Sequence, residues 1–237
     1  MQIRAFANVA LFASLAVPAA ASAAETLFTQ SPPITGSAAS ISVSTGGNVF
    51  GFANRRAADN FILPFPATLQ TVTFWGGAES SEAVPQLANF AGWKIAIFTP
   101  DLLGNPSTAI YTQDVLAADI TPTPLPGTVG LLGAILHRFT ANLGTPLSLD
   151  GSTPYFLSVS ANLVNPAGFD DEAFQWAAAS SPDTTIWQDR YDGSGFLPRT
   201  LTRRNAAFTL SGTIIPEPAS LAMLVALIPL TTRRQRR

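Results

Sequence analysis

Short runs rich in Phe, Val, Ile, Thr and Tyr recur along this chain between clusters of Pro, Gly, Asn and Asp, with no long helical period among them. Such punctuation predicts strands joined by tight turns, at the spacing of a sandwich or barrel. Ile41-Ser42-Val43-Ser44 alternates cleanly, and Asn60 to Leu63 is a short apolar run ended by Pro64. Leu69 to Trp75 is β-branched and aromatic, with Val72 and Phe74 on one face and Leu69, Thr71, Thr73 and Trp75 on the other. Gly76-Gly77 is expected to end that strand. Trp93, Ile95 and Ile97 share what reads as a core face.

Further strands are expected at Ala109 to Thr112, Ile135 to Thr140, Tyr155 to Ser160, Phe174 to Ala177 and Ala206 to Thr213. Tyr155, Leu157 and Val159 fall on one side of theirs, Phe208 and Leu210 on one side of theirs. Asp101 to Pro106 and Asp192 to Gly195 read as turns, since Gly supplies positive φ and Asp bonds its own backbone. Thr121 to Gly127 is too proline-rich for a central strand and reads as an exposed loop, and Gly130 to Leu136 as a short helix weakened by glycine. The expected architecture is all-β, an antiparallel two-sheet β-sandwich of jelly-roll type.

Both ends are set apart from this pattern. Met1 to Arg4 is a short basic start, Ala5 to Val17 an apolar stretch, and Ala21-Ser22-Ala23 a small-residue cleavage site, the three parts of a signal peptide over residues 1–23. Residues 24–214 form the expected passenger, and residues 215–237 a tail. The tail holds Pro216-Glu217-Pro218, the apolar run Ala219 to Leu230, and then Arg233, Arg234, Arg236 and Arg237. About 12 apolar residues make a single hydrophobic helix of roughly 18 Å, against roughly 30 Å of bilayer hydrocarbon. Pro229 weakens its last turn. The four arginines are expected on the cytoplasmic side, with everything before Pro216 outside.

This order of proline bracket, apolar run and arginine-rich end resembles the PEP-CTERM sorting signal of exported proteins of Gram-negative bacteria. The resemblance spans only Ile215 to Arg237. It departs from the family pattern at Leu221, where an aromatic is common, and in the absence of glycine from the apolar run. It implies sorting and cleavage near Pro216, Glu217 and Pro218 by an exosortase, an integral membrane enzyme, after transient tethering to the inner membrane. Prolines on both sides hold Glu217 away from helix, so a protease meets extended backbone. A looser likeness, to exported β-sandwich passengers with this tail, rests on Asp59-Asn60-Phe61, Thr71 to Gly77 and Trp93 to Phe98.

Removing both ends leaves 8 of 13 basic residues and 14 of 15 acidic ones, a passenger charge of about −6. That balance excludes nucleic acid as a partner, because binding it relies on clustered Lys and Arg. With no cysteine, disulfides and thiolate metal sites are excluded as well.

Chemistry-bearing residues are sparse. His137, the one histidine, lies in an apolar stretch with no Gly-x-Ser-x-Gly elbow and reads as structural. Asp170-Asp171-Glu172, Glu79 and Glu82 would form a glycosidase pair only if folding brought their loops together. Asp189 and Asp192 beside Gly193 carry oxygen ligands for a structural calcium ion, though a plain Asp-Gly turn accounts for them too. Trp93 and Trp176 are expected in the core, and Trp187 with Tyr191 as an exposed pair able to stack on a sugar. Thr71 and Thr73 read as one isolated pair, and without a short repeat no threonine array for ice is expected. The expectation is thus a non-enzymatic exported protein of the cell envelope, cell surface or extracellular matrix, without a cofactor. An exopolysaccharide-binding module is the alternative, and a secreted hydrolase the third reading.

Overall fold

The computed structural model of this chain describes residues 23–30, 38–41, 56–79, 87–129, 135–164, 173–179, 185–189, 196–199 and 205–216. The proposed signal peptide up to Ser22 and the tail from Glu217 onward lie outside them. The described residues form strands β1 (Glu25–Gln30), β2 (Ala38–Ile41), β3 (Arg56–Ile62), β4 (Ala67–Glu79), β5 (Phe90–Pro100), β6 (Pro106–Leu116) and β7 (Thr123–Val129). They continue with β8 (Ile135–Leu149), β9 (Pro154–Leu163), β10 (Ala173–Ala179), β11 (Ile186–Asp189), β12 (Leu197–Arg199), β13 (Asn205–Ala206) and β14 (Phe208–Ile214). Short 3₁₀ turns at Leu87–Asn89 and Ala117–Asp119 are the only helical elements among the described residues. No helix there is long and apolar enough to cross a membrane.

The chain is all-β, with two antiparallel sheets. One runs β1-β14-β4-β10-β13, with β8 beside β4, β7 beside β8 and β2 beside β10; the other runs β12-β11-β3-β9-β5-β6. Their inner faces share one core, consistent with a β-sandwich. Phe74 and Phe139 from the first sheet stack at 5.1 Å, and Trp93 from the second meets Phe139 at 4.8 Å and Phe174 at 6.4 Å. A second aromatic group joins Phe28 and Phe208 to Phe61, with Tyr155 stacked on Phe61. The alternation read from sequence produces this: Trp93, Ile95, Ile97, Tyr155, Leu157, Val159, Phe208 and Leu210 all enter the same core.

Four local expectations fail for identifiable reasons. First, β4 continues through Gly76-Gly77 to Glu79, because a bare backbone lets β10 approach. A Cβ on Gly76 would lie 2.4 Å from the Phe174 ring and 2.5 Å from the Gln175 carbonyl. Second, Leu69 is buried with Val72 and Phe74 rather than facing out with Thr71. Gln70 is an extra residue opposite β14, while β8 sets the four residues 143–146 against it, and this irregularity turns Leu69 to the other face. Third, most of the proline-rich segment expected as a loop is strand β7. It pairs with β8 through Thr123, Pro124 and Val129, at the sheet edge where a missing N–H is tolerated. Fourth, Ile135 and Leu136, which the sequence offers both as the end of a short helix and as the start of a strand, begin β8 and so follow the strand reading; residues 130–134 lie outside the described residues.

Candidate binding face

The outer face of the first sheet is where register assembles a surface that no single segment carries. Val72 and Phe74 point into the core, so Thr71, Thr73 and Trp75 point out from β4. By the same alternation Thr209, Ser211 and Thr213 point out from β14, and Arg138, Thr140 and Asn142 from β8. Register aligns them. Thr29 pairs with Thr209, Thr209 with Thr73, and Thr73 with Thr140, a row of four threonines across β1, β14, β4 and β8. The next row is Thr26, Ser211, Thr71 and Asn142.

Side-chain hydrogen bonds hold the rows in order. The hydroxyls of Thr29 and Thr209 lie 2.7 Å apart, and those of Thr73 and Thr140 3.1 Å apart. Thr71 donates to Asn142 Oδ1 at 3.4 Å. Strands about 4.8 Å apart make the four-residue row span roughly 14 Å, with rows roughly 6.7 Å apart along the strands. Thr71 and Thr73 are therefore not the isolated pair that local sequence suggests. The array is nevertheless short, because bulges near Leu27, Gln70 and the Leu143 to Pro146 stretch interrupt the strand pairing.

An aromatic and a cation border the hydroxyls. Trp75 pairs with Arg138 in the neighbouring row. The indole is half-buried against the small cluster of Leu136, Ala177, Ala179 and Ala207, while Arg138 is exposed. Hydroxyls with methyl groups between them, an indole edge and a guanidinium make an amphipathic surface suited to the alternating C–H and O–H faces of a sugar chain.

Of the residues singled out from sequence, Trp187 has a setting other than the one expected, and several others lie outside the described residues. Trp187, expected as half of an exposed pair, is half-buried: its ring meets Phe156 edge-on at 4.8 Å and its Nε1 donates to Asn105 Oδ1 at 3.2 Å. The pull is burial on the apolar outer face of the second sheet, where Phe98, Phe156 and Phe196 are also covered. Asp189 ends β11 in register with Arg56; Tyr191 and Asp192 lie outside the described residues. Glu79 ends β4 opposite Ala173, while Glu82 and Asp170 to Glu172 lie outside the described residues. Among the described residues no three His, Asp or Glu side chains gather as metal ligands.

His137 faces the core beside Phe139, ring centroids 6.1 Å apart, with Nδ1 3.1 Å from the Ile135 carbonyl. Burial pushes its pKa below the ordinary 6.5, against a smaller opposing pull from that hydrogen bond. The ring is set up as a neutral donor to backbone. Pro216, the first residue of the expected Pro-Glu-Pro motif, is exposed two positions beyond the end of β14.

No protein-family model matches this chain, and no curated protein matches it.

Proposed function

We propose that this chain is an exported, non-enzymatic protein of the cell envelope or extracellular matrix whose threonine face binds exopolysaccharide. The observation carrying the binding activity is the row Thr29, Thr209, Thr73 and Thr140, aligned by register and ordered by hydroxyl contacts within the Thr29–Thr209 and Thr73–Thr140 pairs. Preordered donors and acceptors lose little entropy when a ligand replaces water. The bulged, four-strand width favours a glycan over ice, which needs a longer regular array. In this reading the two sheets form a sandwich of jelly-roll type, residues 1–23 are a signal peptide, and the tail is a single hydrophobic helix processed by an exosortase at Pro216, Glu217 and Pro218. The proline bracket, apolar run and basic end, in that order, support the sorting step.

Two experiments test the two halves. On an array of bacterial polysaccharides, the protein should bind at least one glycan, and Thr73→Val with Thr140→Val should weaken binding on the order of tenfold, as two lost hydrogen bonds imply. Trp187→Ala should leave it unchanged. Failure to retain any glycan would remove the binding proposal. For the address, mass spectrometry of the mature C-terminus, with and without the sorting enzyme, should show loss of the arginines only when the enzyme is present; a secreted product ending in Arg237 would refute processing.

A further inference from the structure

Large apolar side chains left in water are not spread evenly over this molecule. β3 ends at Ile62 opposite Pro154, the first residue of β9, and β5 reaches Phe98 opposite Phe156, so the turns after β3 and β5 emerge at one end of the second sheet. In the first sheet Ala67 pairs with both Ile214 and Leu149, so β4 begins where β14 and β8 finish. The turn from β3 into β4 and the turn from β8 into β9 join these margins, with Ser152 N–H donating to the Leu63 carbonyl at 2.7 Å. All of these belong to one end of the molecule.

That end carries Ile62, Phe65, Leu102, Leu103, Ile214 and Ile215, six of the ten exposed large apolar residues among those described. Leu116, Ile135 and Val164 belong to the opposite end, and Ile110 to the body of β6. The most exposed are Leu102 at 105% and Leu103 at 85%, on the tip of the β5–β6 hairpin. The tip is built rather than slack. Asp101 accepts the backbone N–H groups of Leu103 and Asn105, each at 2.8 Å, Gly104 takes φ +81°, and Trp187 holds Asn105 from behind. An apolar recess of about 220 Å³ opens at the same end between Leu27, Leu63, Phe65 and Ile214.

The tail leaves from this end. Ile215 N–H donates to the Pro66 carbonyl at 2.9 Å, which ties the chain to the fold one residue before Pro216. The apolar run begins at Ala219, four residues past Ile215, a reach of at most roughly 14 Å even when fully extended. We propose that this apolar end is a membrane-contact surface, with Leu102, Leu103 and Phe65 dipping into the bilayer interface while the tail is inserted. The inference rests on the tail being membrane-inserted, as in the sorting reading. Its occupant is lipid because the tether leaves too little chain to hold the end away from the bilayer, and an apolar patch there lowers its free energy by entering the interface. Contact at this end orients the protein with the threonine face lateral to the membrane, open to polymer.

The absence of cysteine makes the test direct. Single-cysteine variants of the full chain, Phe65→Cys, Leu103→Cys, Leu116→Cys and Val225→Cys, are labelled with an environment-sensitive dye and reconstituted with phosphatidylcholine vesicles carrying spin-labelled lipid. The expected result is blue-shifted, quenched emission at positions 65, 103 and 225 and water-like emission at 116. Quenching at 225 with water-like emission at 65 and 103 overturns the inference and leaves the tail reading standing. Quenching at 65 and 103 but not 225 keeps the contact surface and removes the inserted tail. A blue shift without vesicles that grows with protein concentration assigns the end to a second copy and overturns the lipid assignment.

Discussion

The Asp59 carboxyl group on β3 accepts the backbone N–H of Ala206 on β13 at 2.6 Å, linking the two sheets through a fully buried polar side chain. Its other oxygen accepts the N–H of Asn60 at 2.9 Å. β13 is two residues long and has little ladder of its own, so this bond helps fix where β14 enters its sheet. Removing the carboxyl group leaves the Ala206 N–H buried without its acceptor. Asp59→Ala is expected to cost about 2 kcal/mol, within the range for leaving a buried donor unsatisfied, read as a shift of the urea midpoint. A loss below about 1 kcal/mol would show that this hydrogen bond adds little to the joining of the sheets.

Gly76→Ala tests the close approach of β10 to β4. The added methyl meets the Phe174 ring and the Gln175 carbonyl, and a strand backbone cannot move aside as a flexible side chain can. The expected cost is about 2–3 kcal/mol, typical of overpacking. Gly144→Ala is the control, since its nearest neighbour would be the Gln113 amide at 3.6 Å; thermal melts of the two should differ clearly.

His137 makes stability pH-dependent, with a sign fixed by its burial. Its folded pKa lies below 6.5, so the unfolded chain binds the proton more readily. This contribution is fully present above pH 6.5 and falls as the pH drops through that value toward the folded pKa. His137→Gln should flatten that part of the stability curve, measured by denaturant titration between pH 7.5 and about 5. An unchanged curve would place the pH dependence on other groups.

Trp187 is expected to matter for stability and not for glycan affinity. Trp187→Ala removes its contact with Phe156 and its bond to Asn105. From a half-buried position this should cost about 2 kcal/mol, below the range for a fully buried aromatic. Hydrogen exchange should rise at the backbone amides of Leu103 and Asn105, a readout specific to the hairpin tip.

Legibility differed between the fold and the candidate site. The strands around Phe74, Trp93, Leu157 and Phe208 could be read because period-two alternation is local, and each carries its core face in its own residues. Local alternation places Leu69 on the wrong face because a bulge is set by the partners' register, not by the bulged strand. The prolines of β7 suggest a loop because proline is a poor strand residue except at an edge, and edges exist only once the sheet is assembled. Trp187 misleads for a related reason: an indole beside an Asp-Gly turn looks solvent-facing until Phe156, 31 residues earlier, arrives beneath it. The threonine row left only a faint local trace, the spacing of Thr209, Ser211 and Thr213 on β14 and of Thr71 and Thr73 on β4.

Local pattern alone determined the all-β class and the alternating core, because side-chain direction along a strand depends only on the residues of that strand. The same local reading set out the two flanking apolar segments and the mildly acidic, cysteine-free middle. Only the tertiary structure decided which strands became neighbours, and with them the Thr29, Thr209, Thr73 and Thr140 row and the gathering of Leu103, Phe65 and Ile215 at one end. Those relationships join residues up to 180 positions apart. They arise from cross-strand register, which is selected by the packing of the whole core and so is not written in any single segment.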